Sequence, residues 1–165
     1  MGILQPHGRR RGCLRQAGLN TAERFIVIHS PVHARAAFAA AASLAVPVTL
    51  ASAPGAGVYA GPGWFKAVIG IASSQYPAVE FTSVLDCGGE AGMVLAALRH
   101  GVLRVRFDGP DAVAARLADI AGQCGATIER GALEPALDLL GRDDIETICR
   151  AFLAAERDAP ANRFP

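Results

Sequence analysis

Residues 25–57 read FIVIHSPVHARAAFAAAASLAVPVTLASAPGAG, and this stretch decides the fold class. The run from Phe25 to Ile28 is short and wholly apolar, which is typical of a strand buried on both faces. Ser30 and Pro31 then begin a helix, because serine accepts a hydrogen bond from a free amide and proline has no N–H to lose there. An alanine-rich helix and a second apolar run, residues 46–51, complete the unit. A strand–helix–strand unit of this kind predicts a parallel α/β sheet with right-handed crossovers.

The same alternation continues along the chain, with apolar runs that begin at Val79, Val102 and Ala126. We predict a three-layer, open, mostly parallel sheet of five strands in the flavodoxin-like order 2-1-3-4-5, with a partial barrel as the alternative. A complete eight-stranded barrel is excluded, since it needs about 250 residues and this chain has 165. Pro47 favours an edge position for the second strand, because proline cannot donate to a ladder. Two helices are expected after the fifth strand, the second opened by Asp143.

The charge distribution divides the chain into an N-terminal arm (1–24), a single α/β domain (25–157) and a frayed C-terminus (158–165). The arm is basic and is expected to be disordered. Its charged residues are Arg9, Arg10, Arg11, Arg15 and Arg24 against Glu23 alone. Nucleic acid binding is not expected, because the arm has no interleaved aromatic residues and no recognition helix follows it.

The composition also predicts where the protein works. The longest weakly apolar stretch, residues 36–51, is interrupted by polar residues and is shorter than the roughly 18 residues of a membrane span, so no membrane partner is expected. The four cysteines form no C-x-x-C pair. Reduced thiols are the expectation for such cysteines, and we predict a cytoplasmic protein.

All five predicted strands end on polar or glycine-rich residues. These endings begin at His29, Ser52, Asp86, Asp108 and Glu129. In an open parallel α/β sheet the ligand crevice lies outside the carboxyl ends of the strands. The sequence therefore predicts the location of a site, while the reaction, if any, stays open.

A glycine-rich segment follows the second strand and is the first candidate for ligand binding. Its predicted ligand-binding residues are Gly55, Gly57, Gly61, Gly63, Trp64 and Lys66. Glycines let the backbone approach a ligand closely, and the helix that follows offers free amides to an anion. Neither G-x-G-x-x-G nor G-x-x-x-x-G-K-[ST] is present. A flexible surface connection is the alternative interpretation.

Three side chains at the strand ends are predicted to be catalytic: His29, Asp86 and Cys87. Asp86 suits a general base, and Cys87 suits a nucleophile if the next helix lowers its pKa. The alternatives are that Asp86 caps a turn and that Cys87 is a small buried side chain. Ser30 and Asp108 are added as ligand-binding residues. The spacing of His29 and His33 also suits a metal pair, but it is common by chance, so we predict no metal site and assign no cofactor.

These features predict an α/β protein that binds a small phosphate- or carboxylate-bearing metabolite at the carboxyl edge of its sheet. Acid–base catalysis there is left open. The alternative is a non-enzymatic regulatory or assembly domain, with Arg104 and Arg106 at a subunit interface, and a homo-oligomer is expected in either case. Strands four and five resemble those of the phosphate-binding half-barrels of sugar-phosphate enzymes, but no shared motif extends the resemblance, so no family is assigned.

Overall fold

A computed structural model describes residues 23–155 of the chain. The predicted arm, except for Glu23 and Arg24, and the predicted frayed C-terminus lie outside the described residues. The strands are β1 Phe25–Ile28, β2 Val48–Ser52, β3 Phe81–Asp86, β4 Arg104–Arg106, β5 Thr127–Glu129 and β6 Ala136–Asp138. The helices are α1 Pro31–Leu44, α2 Ala56–Tyr59, α3 Gly61–Ser74, α4 Ala91–Arg99, α5 Asp111–Gln123 and α6 Ile145–Ala154.

The strands form one six-stranded sheet in the order β5-β4-β3-β2-β1-β6, and all neighbouring pairs are parallel. The α/β class and the open parallel sheet are therefore confirmed. The preferred strand order 2-1-3-4-5 is not the one observed, because the first five strands lie side by side in chain order, as in the partial-barrel alternative. A sixth strand, β6, was not predicted from the sequence. It pairs with β1 on the side away from β2, where the flavodoxin-like order would place β3.

The main core lies between the helices and one face of the sheet. It includes Ile26 and Ile28 of β1, Leu50 of β2, Leu85 of β3 and Val105 of β4. Their alternation along the strands follows from the period of two residues that places successive side chains on opposite faces. The helices pack on one another in the order α6, α1, α3, α4, α5, which matches the order of the strands beneath them.

The other face of the sheet is crossed by residues 130–135, which we call the strap. It joins β5 to β6, which lie at opposite edges of the sheet. Leu133 packs there on Phe25, Ala51 and Val84, which form a second, smaller apolar cluster. The strap thus carries the chain from the carboxyl end of β5 to the amino end of β6 across this face of the sheet.

Two sequence predictions about strands and helices are wrong. Pro47 precedes β2 and does not make it an edge strand, since β2 lies between β1 and β3. The first of the two expected C-terminal helices is instead β6, in which Leu137 packs against the main core. Within the described residues, no helix is long and apolar enough to span a bilayer.

Candidate functional site at the carboxyl edge of the sheet

Asp86 lies at the centre of the carboxyl edge, where it connects three loops. Only 4% of this residue is exposed. The amides of Gly55 and Gly88 donate to its Oδ1 at 2.9 and 2.8 Å, and its own amide donates to Ser52 Oγ at 2.9 Å. Gly55 adopts a φ of +69°, a conformation that L side chains rarely adopt. Asp86 thus caps the turn at Gly88, as one interpretation predicted, and it does so at the edge where the sequence places the site.

Arg106, at the end of β4, neutralises the buried carboxylate. Its Nη1 donates to Asp86 Oδ2 and its Nη2 donates to Asp108 Oδ2. Its Nε donates to the carbonyl oxygen of Gly131 in the strap at 2.5 Å. Asp86 is almost fully covered, whereas 44% of the Asp108 side chain is exposed. One guanidinium therefore holds two carboxylates of very different accessibility.

His29 and Asp86 lie in the same row of the sheet. The register pairs Ile28 with Ser52, Ala51 with Val84 and Asp86 with Arg106. When these pairings are continued by one residue toward the carboxyl ends of β1 and β2, the residues that lie side by side are His29, Ala53, Asp86 and Arg106. Two strand spacings put the first and third of these about 10 Å apart, with only an alanine between them. The row therefore places an imidazole and a carboxylate about 10 Å apart, on either side of a small residue.

His29 is held by Asp138 at the end of β6. His29 Nε2 lies 2.7 Å from Asp138 Oδ1, and the amide of Leu140 donates to the same oxygen at 2.8 Å. Burial raises the pKa of Asp138, but the hydrogen bonds from Leu140 and His29 outweigh it and leave that pKa below its usual value. An ionised Asp138 favours the proton of neutral His29 on Nε2, which leaves Nδ1 as the proton acceptor.

His33 lies one helical turn further along, and its ring centroid is 5.9 Å from that of His29. The backbone amide of His29 donates to His33 Nδ1 at 3.2 Å. This bond requires an unprotonated Nδ1. Burial, and secondly the charge of His29, lower the pKa of His33, while Asp138 opposes the shift.

The pKa of His33 predicts a loss of stability in mild acid. A histidine with a lowered folded-state pKa contributes stability above its unfolded pKa of about 6.5, and this contribution is lost as the pH falls through the folded-state value. We expect His33→Asn, whose amide oxygen can accept the same bond, to weaken the decline in unfolding free energy below about pH 6.5. Denaturant titrations of both proteins between pH 7.5 and about 5 measure the difference. Parallel curves would contradict the prediction.

Exposed apolar side chains surround this row of polar groups. Val32, Val58, Tyr59 and Leu140 follow β1, β2 and β6, and each is more than half exposed. A Cβ on Gly55 would lie 3.9 Å from the Tyr59 ring. Partial burial and the nearby Asp86 carboxylate raise the pKa of Tyr59. This edge of the sheet therefore combines a polar centre with an apolar border, a composition found in small-molecule sites.

Cys87 is fully buried behind Asp86. Burial, together with the neighbouring carboxylate, raises the pKa of its thiol to about 12. A thiol with such a pKa is protonated at neutral pH and is a poor nucleophile. Gly57 packs directly on it, since a Cβ there would lie 2.6 Å from the sulfur. Both residues thus have a clear packing role.

The structure separates the predicted glycine-rich segment into two parts. Gly55 and Gly57 contact the loop after β3, whereas Gly63 lies beside the His100 ring and Lys66 Nζ donates to the His100 carbonyl oxygen at 2.7 Å. Gly61, at a φ of +82°, begins α3, and Trp64 packs against the main core. Lys66 thus satisfies a carbonyl at the end of α4, where a cation is favourable.

The remaining predicted ligand-binding residue at β1, Ser30, is the N-cap of α1 and accepts the His33 amide at 3.2 Å. The sequence analysis assigned no site role to Arg106 or Asp138. The alternation of Arg106 with apolar residues in β4 is a signal that could have found it, whereas Asp138 lies in β6, where the sequence pattern predicts a helix. In the described part of the chain, no group of three or more His, Cys, Asp or Glu side chains is arranged to hold a metal ion.

Comparisons with known proteins bear on the fold. No family model and no curated protein matches the sequence. Among solved structures, the chain is similar to a protein named as a fructose-1,6-biphosphate aldolase from Coccidioides immitis, with 17% identity, a TM-score of 0.54 and coverage of 67% of this chain and 46% of that one. The YdjI aldolase from Escherichia coli K12 gives 16% identity, a TM-score of 0.56 and coverage of 67% and 45%.

A protein named as a tagatose 6 phosphate kinase from Sinorhizobium meliloti 1021 is also similar, with 17% identity, a TM-score of 0.55 and coverage of 82% of this chain and 46% of that one. At these identities the likeness shows the fold alone. The chain spans somewhat less than half the length of the solved structures it matches.

Proposed function

We propose that this protein binds a small phosphate- or carboxylate-bearing metabolite in the crevice above the row His29, Ala53, Asp86, Arg106. The observation that carries the proposal is the buried Asp86 carboxylate, which joins the loops after β2, β3 and β4 at the sheet edge where α/β proteins bind ligands. A rigid, charged centre inside an apolar border is preorganised for a ligand. The names of the similar structures point to sugar phosphates as the first ligands to test.

The anion of the ligand takes the place of Asp108 on Arg106. Asp108 is the exposed partner of this guanidinium, and Asp86 is the covered one. A phosphate or carboxylate offers Nη2 the same charge-assisted bond that Asp108 offers it. Displacement of Asp108 leaves the ion pair between Asp86 and Arg106 intact. The rim of the site, by which we mean Asp86, Arg106 and Asp108, therefore does not have to refold around the ligand.

Proton transfer at this site falls to His29. Its Nδ1 takes a proton from a hydroxyl or an activated carbon of the ligand, the electron pair stays on the ligand atom, and the ionised Asp138 stabilises the resulting imidazolium. Asp138 is then a positioning residue. Tyr59, exposed at the border, covers the bound ligand and excludes water.

Calorimetry and native mass spectrometry with fructose 1,6-bisphosphate and tagatose 6-phosphate test this function. Asp86→Asn keeps an oxygen for the two loop amides but removes the charge that orients Arg106, so we expect binding to weaken about tenfold or more. Asp108→Asn removes the competing carboxylate, so we expect tighter binding. We therefore expect the two variants to change the ligand affinity in opposite directions.

Glu146→Gln is the matched control, because Glu146 pairs with Arg150 on the exposed face of α6, away from the rim. We expect this variant to bind like the wild type. If neither sugar phosphate nor any carboxylate of a metabolite panel binds the wild type, or if Asp86→Asn and Asp108→Asn bind like it, the proposed function is wrong.

A second candidate function, the assembly domain, is favoured by the open edges of the sheet. Among the described strands, β5 and β6 each pair on one side only, and unpaired edges are templates for strand addition. Arg104 and Arg106 no longer support this candidate, because both are engaged with carboxylates of the same chain. Light scattering across a concentration series tests it, since a stable oligomer whose mass is lost with a proline at Ile128 would support pairing through β5.

A further inference from the structure

We propose a second ligand site, distinct from the rim, for a carboxylate with an apolar body. It is a groove of about 470 Å³ between α3 and the beginnings of β3 and β4. Small-molecule sites typically have volumes of roughly 300 to 1,000 Å³. The groove is lined by Phe81 to Ser83 and by Gly101 to Arg104, so it lies toward the amino ends of the strands, away from Asp86.

The floor and sides of the groove are apolar. Phe65, Ile69 and Val102 form a buried floor, and Phe81 and Leu103 line the groove with 41% and 60% of their surfaces exposed. Exposed large apolar side chains above a buried apolar floor indicate a surface that gains free energy when it is covered. The ligand therefore needs an apolar body.

Lys66, the one lysine of the sequence, lines the groove and supplies its cation. Its ammonium has three N–H donors, of which one reaches the His100 carbonyl. Among residues 23–155, no carboxylate forms a salt bridge with Lys66. Arg104, the other cation of the lining, is already paired with Glu23 and Glu129. An anionic head group is therefore the complement of Lys66.

The shape favours a small molecule over a second protein chain. The surface is a recess in which Lys66 is the cation with which no carboxylate of residues 23–155 pairs. Gly70 leaves open space on α3, since a Cβ there would meet no atom within 4 Å. This glycine costs helix stability relative to alanine, and its absent side chain keeps the groove open.

Calorimetric titration of the full chain with decanoate tests the proposal. A Cβ at Gly70 meets no atom within 4 Å, so we expect Gly70→Leu to occupy the groove and abolish decanoate binding while the protein stays folded. Gly122→Leu is the matched control, since Gly122 is an exposed helical glycine of α5 with equally open space around it. We expect this control to bind decanoate like the wild type.

Lys66→Gln distinguishes the contribution of the anionic head group to binding from that of the apolar body. We expect it to weaken decanoate binding about tenfold and to leave the binding of decanol unchanged. The proposal is overturned if the wild type does not bind decanoate, if Gly70→Leu binds it normally, or if Lys66→Gln has no effect. It is also overturned, in favour of an interface between copies, if Gly70→Leu instead abolishes a concentration-dependent self-association.

Discussion

Replacement of Arg106 by methionine is expected to lower the free energy of unfolding by about 3 kcal/mol, because it leaves the Asp86 carboxylate buried without its cation. Asp86 is 4% exposed, so water cannot take the place of the guanidinium. The two amides that donate to Oδ1 remain, which keeps the loss below that of an isolated buried charge. Arg106 also holds the strap at Gly131. Urea unfolding followed by circular dichroism measures the change.

The double variant Arg106→Met with Asp86→Asn tests the cause of this loss. Without the charge on Asp86, the missing guanidinium costs less, so the double variant should be more stable than Arg106→Met alone. A double-mutant cycle gives the coupling between the two residues. If the two losses simply add, the stability of this edge does not depend on the ion pair, and the rim is not the preorganised centre that the proposed function requires.

Replacement of Gly57 by alanine is expected to cost about 2 kcal/mol through overpacking. A Cβ at this position would lie 2.6 Å from Cys87 Sγ, 3.1 Å from the Asp86 carbonyl oxygen and 3.2 Å from Cys87 Cα. Two of these atoms belong to the backbone that carries Asp86, so the clash would push the centre of the site away from the loop after β2. Thermal unfolding measures the stability, and the sugar phosphate titration measures the effect on the site.

Two further variants identify the contact that causes the loss of stability in Gly57→Ala. Cys87→Ala removes the sulfur, so Gly57→Ala should be less destabilising in that background, although the backbone contacts keep part of the cost. Gly92→Ala makes the same change in α4, where a Cβ would meet nothing within 4 Å, and it should stabilise the protein slightly through helix propensity. Equal effects of Gly57→Ala and Gly92→Ala would refute the packing argument.

The location of the candidate site was predictable because it depends on local patterns. Apolar runs mark the strands, and in a parallel sheet every strand ends at the same edge, so His29, Asp86 and Asp108 could be assigned to one edge without knowledge of the strand order. The partner of Asp86 was not predictable in the same way. Arg106 is 20 residues away, and its charge would suit a solvent-exposed face equally well.

Local sequence patterns were sufficient to predict the α/β class, the Ser30–Pro31 start of α1 and the carboxyl-edge positions of His29 and Asp86. Each of these follows from interactions between residues that are close in the chain, such as caps and period-two burial. Only the tertiary structure decided the strand order, the path of the strap, the contact between His29 and Asp138, which are 109 residues apart, and the position of Lys66 beside the groove. These features depend on which distant segments bury their apolar faces together. The free energy of the whole sheet decides that choice, and no single stretch of sequence does so.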